Sequence, residues 1–180
     1  MDQIILAVDR LWGSVGKEGR LHPSPRFADE LADHFNGNLD VSSSKVSRWS
    51  FGEQLEHLFL TSHYVLDRLE ESMTGQNTSE RMGVWGAGLM VGGFIPRYVF
   101  PTIPQLVPRS GTAEHLQPLQ DTLKKRLEDI QWSLVQIRAC HGKSRHPRMK
   151  YLTAGQWMYF WDVHHRHHLA IMRDIRKAAR

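Results

Sequence analysis

The sequence predicts an all-α protein in the form of a helical bundle, and two observations lead to this class. Apolar residues recur at spacings of three and four along three long stretches, which is the period of an amphipathic helix. No stretch alternates apolar and polar residues for long enough to require a strand, and no pattern repeats at a fixed period. Because the chain has 180 residues, of which 41% are hydrophobic and 23% charged, we expect one globular domain over residues 1–180.

The N-terminal part offers two candidates for the first helix of the bundle. One lies at residues 4–15, and the other lies at residues 27–35, after the turn-forming sequence HPSP. Their apolar faces would be formed by Ile4, Ile5, Val8, Leu11, Trp12 and Val15 in the first case and by Phe27, Leu31, Ala32 and Phe35 in the second. Either helix would complete a four-helix bundle, and the sequence does not decide between them.

The second helix is predicted from about Ser50 to Ser72. Ser50 followed by Glu53 has the spacing of a capping box, in which each side chain accepts a hydrogen bond from the backbone of the other residue. The polar, turn-forming sequence MTGQNTSE ends the helix. Its apolar stripe consists of Leu55, Leu58, Phe59, Val65, Leu66 and Leu69.

The third and fourth helices are predicted from equally regular stripes. The third is the clearest in the sequence; Pro118 falls near its first turn and Gly142 closes it. The fourth runs from Thr153 to about Lys177, with basic residues concentrated in its final turn. The stripe of the third helix is Leu119, Leu123, Leu127, Ile130, Leu134 and Ile137, and that of the fourth is Trp157, Trp161, Ile171, Met172 and Ile175.

Long links, roughly residues 73–117 and 141–152, join these helices, so the bundle is not a simple chain of helical hairpins. Within the first link, residues 82–100 carry a single charge, Arg97, and approach the length of a membrane span. Five glycines and Pro96 make this segment a poor helix. No strand precedes the glycines and no Lys-Ser/Thr follows them, as a phosphate-binding loop would need. We therefore interpret the segment as a close-packed connector over the core, and we expect no membrane contact.

Composition and charge narrow the partners and the compartment. The net charge is +4, but lysine and arginine are spread among acidic residues, so we expect no nucleic-acid-binding face. Asp2 and Asp9 stand where a secretion signal would need a basic start and a longer apolar run, and a cytoplasmic protein is expected. Cys140 excludes an intramolecular disulfide because it is the single cysteine. It lies at the far end of the third helix with no motif around it, and we interpret it as a boundary residue rather than a nucleophile.

The fourth helix contains the sequence VHHRHHL, with four histidines in five residues. At ~100° per residue, His164 and His168 interrupt the buried stripe and should point inward. His165 and His167 turn toward the flanks, where they meet solvent or residues behind a site. Two imidazoles at i and i+4 can direct their nitrogens to one point, as in helical zinc motifs. The alternative is that two partly buried histidines simply form hydrogen bonds with neighbouring polar groups.

A third ligand is offered by the second helix. His57 sits one position off the apolar seam, near the N-terminal end of that helix, and can face the bundle interior. His63 would lie on a different face and nearer the other end. Judged alone, His57 is explained equally well as a flank histidine of an amphipathic helix.

The histidines belong to a longer pattern of residues that begins at the start of the second helix and continues before and within the fourth. Its members are Trp49, Gln54, His57, His146, Pro147, Leu152, Thr153, Gln156, Trp157, His164, His167 and His168. This pattern resembles that of the DinB-like superfamily, which includes bacillithiol- and mycothiol-dependent S-transferases, and it is most similar to a branch without an assigned activity. The resemblance covers about residues 49–175. It implies a DinB-like four-helix bundle with long connections, in which one histidine of the second helix and a His-x-x-x-His pair of the fourth hold a divalent metal.

Carried onto this chain, the implied metal ligands are His57, His164 and His168, of which the inward stripe selects the last two independently. Imidazole ligands suit several divalent ions, and Zn, Ni or Fe is expected here. One departure concerns the substrate. Many relatives have glutamine three residues after the last ligand, where this chain has Ile171, so we expect a polar contact, either to the residues behind the ligands or to the substrate, to be missing.

Three imidazoles leave at least one coordination position open, as in catalytic metal sites. The resemblance therefore implies a divalent-metal-dependent enzyme, either an S-transferase that uses a low-molecular-weight thiol or a hydrolase. One alternative is a metal-binding bundle without catalysis, acting in sensing or assembly. Another is a DNA-associated protein, which only the superfamily name and the basic charge suggest. A small-molecule substrate or thiol is the expected partner, and a homodimer stays open.

Overall fold

The computed structural model describes residues 38–75, 78–97, 101–130, 132 and 134–180, together with the backbone of residues 14–15 and 21–22. Helices dominate this part of the chain, which confirms the all-α class. The helices are α1 (Phe51–Thr74), α2 (Val84–Gly92), α3 (Ala113–Asp129), α4 (Leu134–Ala139) and α5 (Ala154–Ala178). Two short antiparallel hairpins pair β1 (Ser14–Val15) with β2 (Leu21–His22) and β3 (Lys143–His146) with β4 (Lys150–Thr153).

Helix α1 is the central element, and it lies against both α5 and α3. Its start is fixed by the predicted capping box. The Glu53 backbone N–H donates to Ser50 Oγ at 3.2 Å, and the Ser50 N–H donates to Glu53 Oε2 at 2.7 Å. All six residues of the predicted stripe are completely buried, so the sequence assigned the phase of this helix correctly.

The predicted third helix is wrong in its bounds, because the structure divides it into α3 and α4. Helix α3 begins at Ala113, five residues before Pro118, which therefore lies inside the helix. The helix ends at Asp129, because the backbone of the C-cap residue Ile130 is extended with φ −69° and ψ 121°. Ile130 and Ile137 are nevertheless both buried, one before and one after the break. The apolar spacing continued across the break because both segments face the same core, and spacing alone could not reveal it.

The link predicted at residues 141–152 contains the hairpin β3–β4, so the expectation that no strand is required is wrong for this stretch. Its strands are only four residues long and read KSRH and KYLT, which gives no clear alternation of apolar and polar residues. Ser144 attaches the hairpin to α1, since its hydroxyl lies 2.8 Å from Ser72 Oγ and donates to the Arg68 carbonyl at 2.7 Å. Strand β4 ends at Thr153, the N-cap of α5, and so helps to fix where that helix begins.

His146 closes the turn of this hairpin as a neutral acceptor. The backbone N–H groups of Arg148 and Met149 both donate to His146 Nδ1 at 3.1 Å. Burial, followed by the nearby Arg148 guanidinium, lowers the pKa of His146 to about 4. Because the folded state binds this proton less readily than the unfolded chain, its contribution to stability is complete above pH 6.5 and is lost as the pH falls toward 4.

We therefore expect the substitution His146→Asn to weaken the acid sensitivity of the fold. An asparagine carbonyl accepts the same two hydrogen bonds and does not titrate. In urea unfolding of metal-free protein, the loss of unfolding free energy between pH 7 and pH 4.5 should be smaller in the variant by about 2 kcal/mol. Other buried histidines titrate in both proteins, so the difference between the two is the test. An equal loss in both would contradict this account of His146.

The glycine-rich segment, predicted at residues 82–100 to be a close-packed connector, packs closely on one side only. Its inner side does pack closely, because a Cβ on Gly86 would meet the side chains of Met82 and Met149 within 3 Å. Its outer side is open to solvent, with Val84 89%, Trp85 77% and Val91 82% exposed. Among the helices that the structure describes, none is both long and apolar enough to cross a membrane.

Both candidates for the first bundle helix lie outside the described residues, apart from Ser14 and Val15. The backbone at Ser14–Val15 pairs with Leu21–His22 in β1–β2, so the helix predicted at residues 4–15 does not include its last two residues.

Candidate metal centre

His57, His164 and His168 lie together between the second turn of α1 and the middle of α5. Helix α5 starts with a second capping box, formed by Thr153 and Gln156, and its predicted stripe is buried against α1. This phase turns His164 and His168, one helical turn apart, toward His57. All three rings are buried, with 4%, 9% and 7% of their residue surface exposed.

The three rings converge at short distances. One ring nitrogen of each residue lies within 4.8 Å of those of the other two. The Nε2 atoms of His57 and His164 are 3.3 Å apart. The ring centroid of His168 lies 4.6 Å from the ring centroid of His57 and 4.5 Å from the ring centroid of His164. Sequence reasoning thus named the three residues that the fold brings together, and their role as metal ligands stays a prediction.

Two of the three rings are oriented from behind by fixed acceptors. His57 Nδ1 donates to the Leu106 carbonyl at 2.7 Å, and His168 Nδ1 donates to Gln54 Oε1 at 2.7 Å. The Gln54 amide is itself fixed, because its Nε2 donates to Ser47 Oγ at 2.9 Å. Metal-binding histidines commonly donate their second N–H to a carbonyl in this way, which sets the tautomer and the direction of the other nitrogen.

The electrostatics of the site keep these imidazoles neutral. Burial lowers the pKa of His57 to about 4, although its hydrogen bond to Leu106 acts in the opposite direction. Burial and then the neighbouring histidines hold the pKa of both His164 and His168 well below the usual value. Neutral rings with a proton on Nδ1 present an Nε2 lone pair, so at neutral pH His57 and His168 direct lone pairs toward the centre.

The site therefore fits a divalent cation. Two lone pairs converge in a buried space, and His164 Nδ1 has no hydrogen-bond partner among the described residues. Nitrogens held about 2.0–2.1 Å from a tetrahedral zinc ion lie about 3.3–3.4 Å from each other. The 3.3 Å separation of the His57 and His164 Nε2 atoms agrees with this geometry. Three imidazole donors suit Zn, Ni or Fe.

The two other histidines of the VHHRHHL sequence lie elsewhere, and of the two alternatives predicted for His165 the structure excludes contact with solvent. His165 is only 3% exposed and lies between α5 and α1, with Nδ1 3.2 Å from the Trp161 carbonyl and Nε2 3.5 Å from Ser62 Oγ. Helix α1 covers a wide arc of α5, so a position next to the stripe is buried as well. His167 is half-buried, and its ring meets the His168 ring edge-on. Neither residue belongs to the group of three.

Aromatic rings form two sides of the centre. The Trp49 ring packs on His57 with centroids 5.0 Å apart, and the Phe160 ring packs on His164 at 5.6 Å. His63 lies away from the centre, as predicted, with Nε2 3.0 Å from the Leu119 carbonyl. Sequence reasoning missed the part played by Leu106 entirely, because a backbone carbonyl from a distant link leaves no signal in the sequence. Gln54 was already named among the residues of the family pattern, and its contact with His168 is what the structure adds.

Two other residues that the sequence singled out, Cys140 and Ile171, are not members of the group of three histidines. Cys140 is half-buried, and its thiol donates to the Ser72 carbonyl at 3.2 Å, which agrees with a boundary residue. Ile171 is buried at 8% exposure, three positions beyond His168 on α5. Its side chain is apolar, so it presents no hydrogen-bonding group to a substrate.

A family model of the DinB superfamily matches residues 22–172, which include all three histidines and every helix of the described bundle except the last six residues of α5. No curated protein and no solved structure gives a significant match to the chain. The match covers most of the sequence, and it agrees with the helical architecture and with the motifs on α1 and α5. The chain therefore belongs to the DinB superfamily.

Proposed function

We propose that this protein is a divalent-metal-dependent enzyme whose ion is held by His57, His164 and His168, and that it acts as a thiol-dependent S-transferase or as a hydrolase. The observation that carries the proposal is the convergence of three buried neutral imidazoles on one point. A divalent ion held there would act as a Lewis acid that lowers the pKa of a thiol or water molecule beside it. With three protein ligands, at least one position is left for such a molecule.

The chain's own residues prepare this site in two ways. Leu106 and Gln54 fix the protons of His57 and His168 on Nδ1, so that no rearrangement of the rings is needed when the ion binds. Trp49 and Phe160 pack against the ligand rings and cover the His57 and His164 rings. A dry surrounding strengthens the electrostatic effect of a bound cation on its substrate.

The experiment that tests the proposal directly combines two measurements on native protein. Elemental analysis should find about one divalent ion per chain. The same preparation should then be assayed against a panel of low-molecular-weight thiols with electrophilic acceptors and against hydrolysable substrates. Metal without any turnover would favour the second candidate, a metal-binding bundle that serves sensing or assembly. A chain that binds no metal would overturn both.

Coordination of a thiol gives a second expected result, which does not require the substrate to be known. Adding a low-molecular-weight thiol to the cobalt-substituted protein should produce a sulfur-to-metal charge-transfer band. Affinity should rise with pH below the pKa of the thiol, because coordination requires the thiolate and releases a proton. Absorbance titrations at several pH values measure this. If no biological thiol gives a band, the S-transferase reading is wrong and hydrolysis remains to be tested.

A further inference from the structure

Glu56 is a buried carboxylate beside the candidate metal centre, and the fold satisfies it completely. The residue has no exposed surface. Its Oε1 accepts from the Arg109 backbone N–H at 2.9 Å, and its Oε2 accepts from Ser110 and Gly111 at 3.0 and 2.8 Å. His115 Nε2 lies 3.0 Å from Oε1. Three consecutive N–H groups directed at one carboxylate bind the loop at residues 109–111 firmly to α1.

Two glycines allow the loop to approach α1 this closely. A Cβ on Gly52 would collide with the Gly111 carbonyl, and a Cβ on Gly111 would collide with the Glu53 backbone nitrogen. Gly111 also has φ +62°, which L side chains rarely adopt. The backbone of the loop therefore contacts the backbone of the first turn of α1. This contact brings the three N–H groups of residues 109–111 within hydrogen-bonding distance of the Glu56 carboxylate.

The same loop leads, within two residues, to the acceptor of His57. Leu106 ends a 3-10 turn, Pro104–Leu106, and only Val107 and Pro108 separate it from Arg109. Val107 is extended, and proline fixes the next φ, so this connection is stiff. The Leu106 carbonyl oxygen accepts a hydrogen bond from His57 Nδ1, and the two atoms are 2.7 Å apart.

We propose that Glu56 is a positioning residue for the metal centre: by holding residues 109–111 it fixes the Leu106 carbonyl and so orients the His57 imidazole toward the ion. The inference rests on the proposed function, since it assumes that His57 binds a metal. Glu56 does not touch the centre, because its carboxylate faces the loop and His115. Its effect on the ion passes through the loop and through one hydrogen bond to the ligand.

The test compares the affinity for Zn²⁺ of the wild-type chain and two variants, by competition with a chromophoric chelator. Glu56→Gln replaces one acceptor oxygen by an amide donor, which in either orientation of the amide faces at least one N–H group of the loop. Gly111→Ala pushes the loop off α1 while Glu56 is retained. Both should weaken zinc binding about tenfold, the lower part of the range for residues that support a ligand from behind. The cobalt-substituted variants should also show a shifted visible spectrum, because the direction of the His57 nitrogen changes.

Leu127→Ala is the matched control, since Leu127 is a buried core residue near the end of α3 that is opposite to the loop. This variant should keep the wild-type zinc affinity and cobalt spectrum at a temperature where all the proteins are folded. The inference is overturned if Glu56→Gln and Gly111→Ala both bind zinc like the wild type, whether or not the amides of residues 109–111 exchange faster with solvent. It is also overturned if Leu127→Ala weakens binding equally. A wild-type chain that binds none of zinc, nickel, iron and cobalt would instead overturn the proposed function, and this inference with it.

Discussion

Replacing His168 by alanine should empty the metal centre. The substitution removes one of three ligands and also leaves Gln54 Oε1 without the ring that it orients. Zinc binding by a small set of ligands is worth about 10–16 kcal/mol in total, so the loss of one imidazole should weaken affinity roughly a hundredfold or more. After dialysis against a weak chelator, elemental analysis should find almost no metal in His168→Ala, whereas the wild-type chain keeps its ion.

His167→Ala is the control for this experiment, because it removes the neighbouring imidazole. His167 lies outside the group of three and is only half-buried, so its loss should leave the metal content unchanged. His57→Ala and His164→Ala should behave like His168→Ala. Unchanged metal in all three ligand variants would show that the assignment is wrong, and loss of metal in His167→Ala alone would shift the site to another side of α5.

The candidate site could be predicted to the extent that it depends on helix phase. The helical period of α5 determines which of its residues face the core. The positions of Trp157, Trp161 and Ile175 were therefore enough to predict that His164 and His168 point inward. Both capping boxes are local patterns of four residues, and the structure confirms the one predicted at Ser50. His57 required the family resemblance, since its position at the edge of the stripe was equally consistent with a flank.

The parts that could not be predicted depend on contacts between distant segments. The Leu106 carbonyl reaches His57 across 49 positions, and any residue type supplies the same carbonyl. Burial of His165 depends on how much of α5 is covered by α1, which helix phase alone does not determine. The break after Asp129 was hidden for a similar reason, because Ile130 and Ile137 face one core from two separate segments. Periodicity reports which residues face inward, and it does not report whether the backbone between them is continuous.

Replacing Trp157, which lies outside the metal centre, by alanine should lower the free energy of unfolding by a large amount. Its side chain is completely buried. Its ring packs against those of Tyr64, His146 and Phe160, with centroids 6.1, 5.1 and 5.9 Å away. These neighbours come from α1, from the hairpin β3–β4 and from α5 itself, so the cavity would lie where three elements meet. Removal of a buried tryptophan typically lowers the free energy of unfolding by about 3–5 kcal/mol, and urea unfolding of the metal-free protein measures it.

Trp85→Ala provides a control of the same chemical change at an exposed position. Trp85 lies on the outer side of α2 with 77% of its surface exposed, so its removal forms no cavity and should change the free energy of unfolding by less than about 0.5 kcal/mol. Because both variants remove the same side chain, the difference between their free energies of unfolding reports the effect of burial. A large loss in Trp85→Ala that grows with protein concentration would mean that a second copy of the chain covers α2, since only association makes stability depend on concentration. An equally small loss in both variants would contradict the placement of Trp157 in the core.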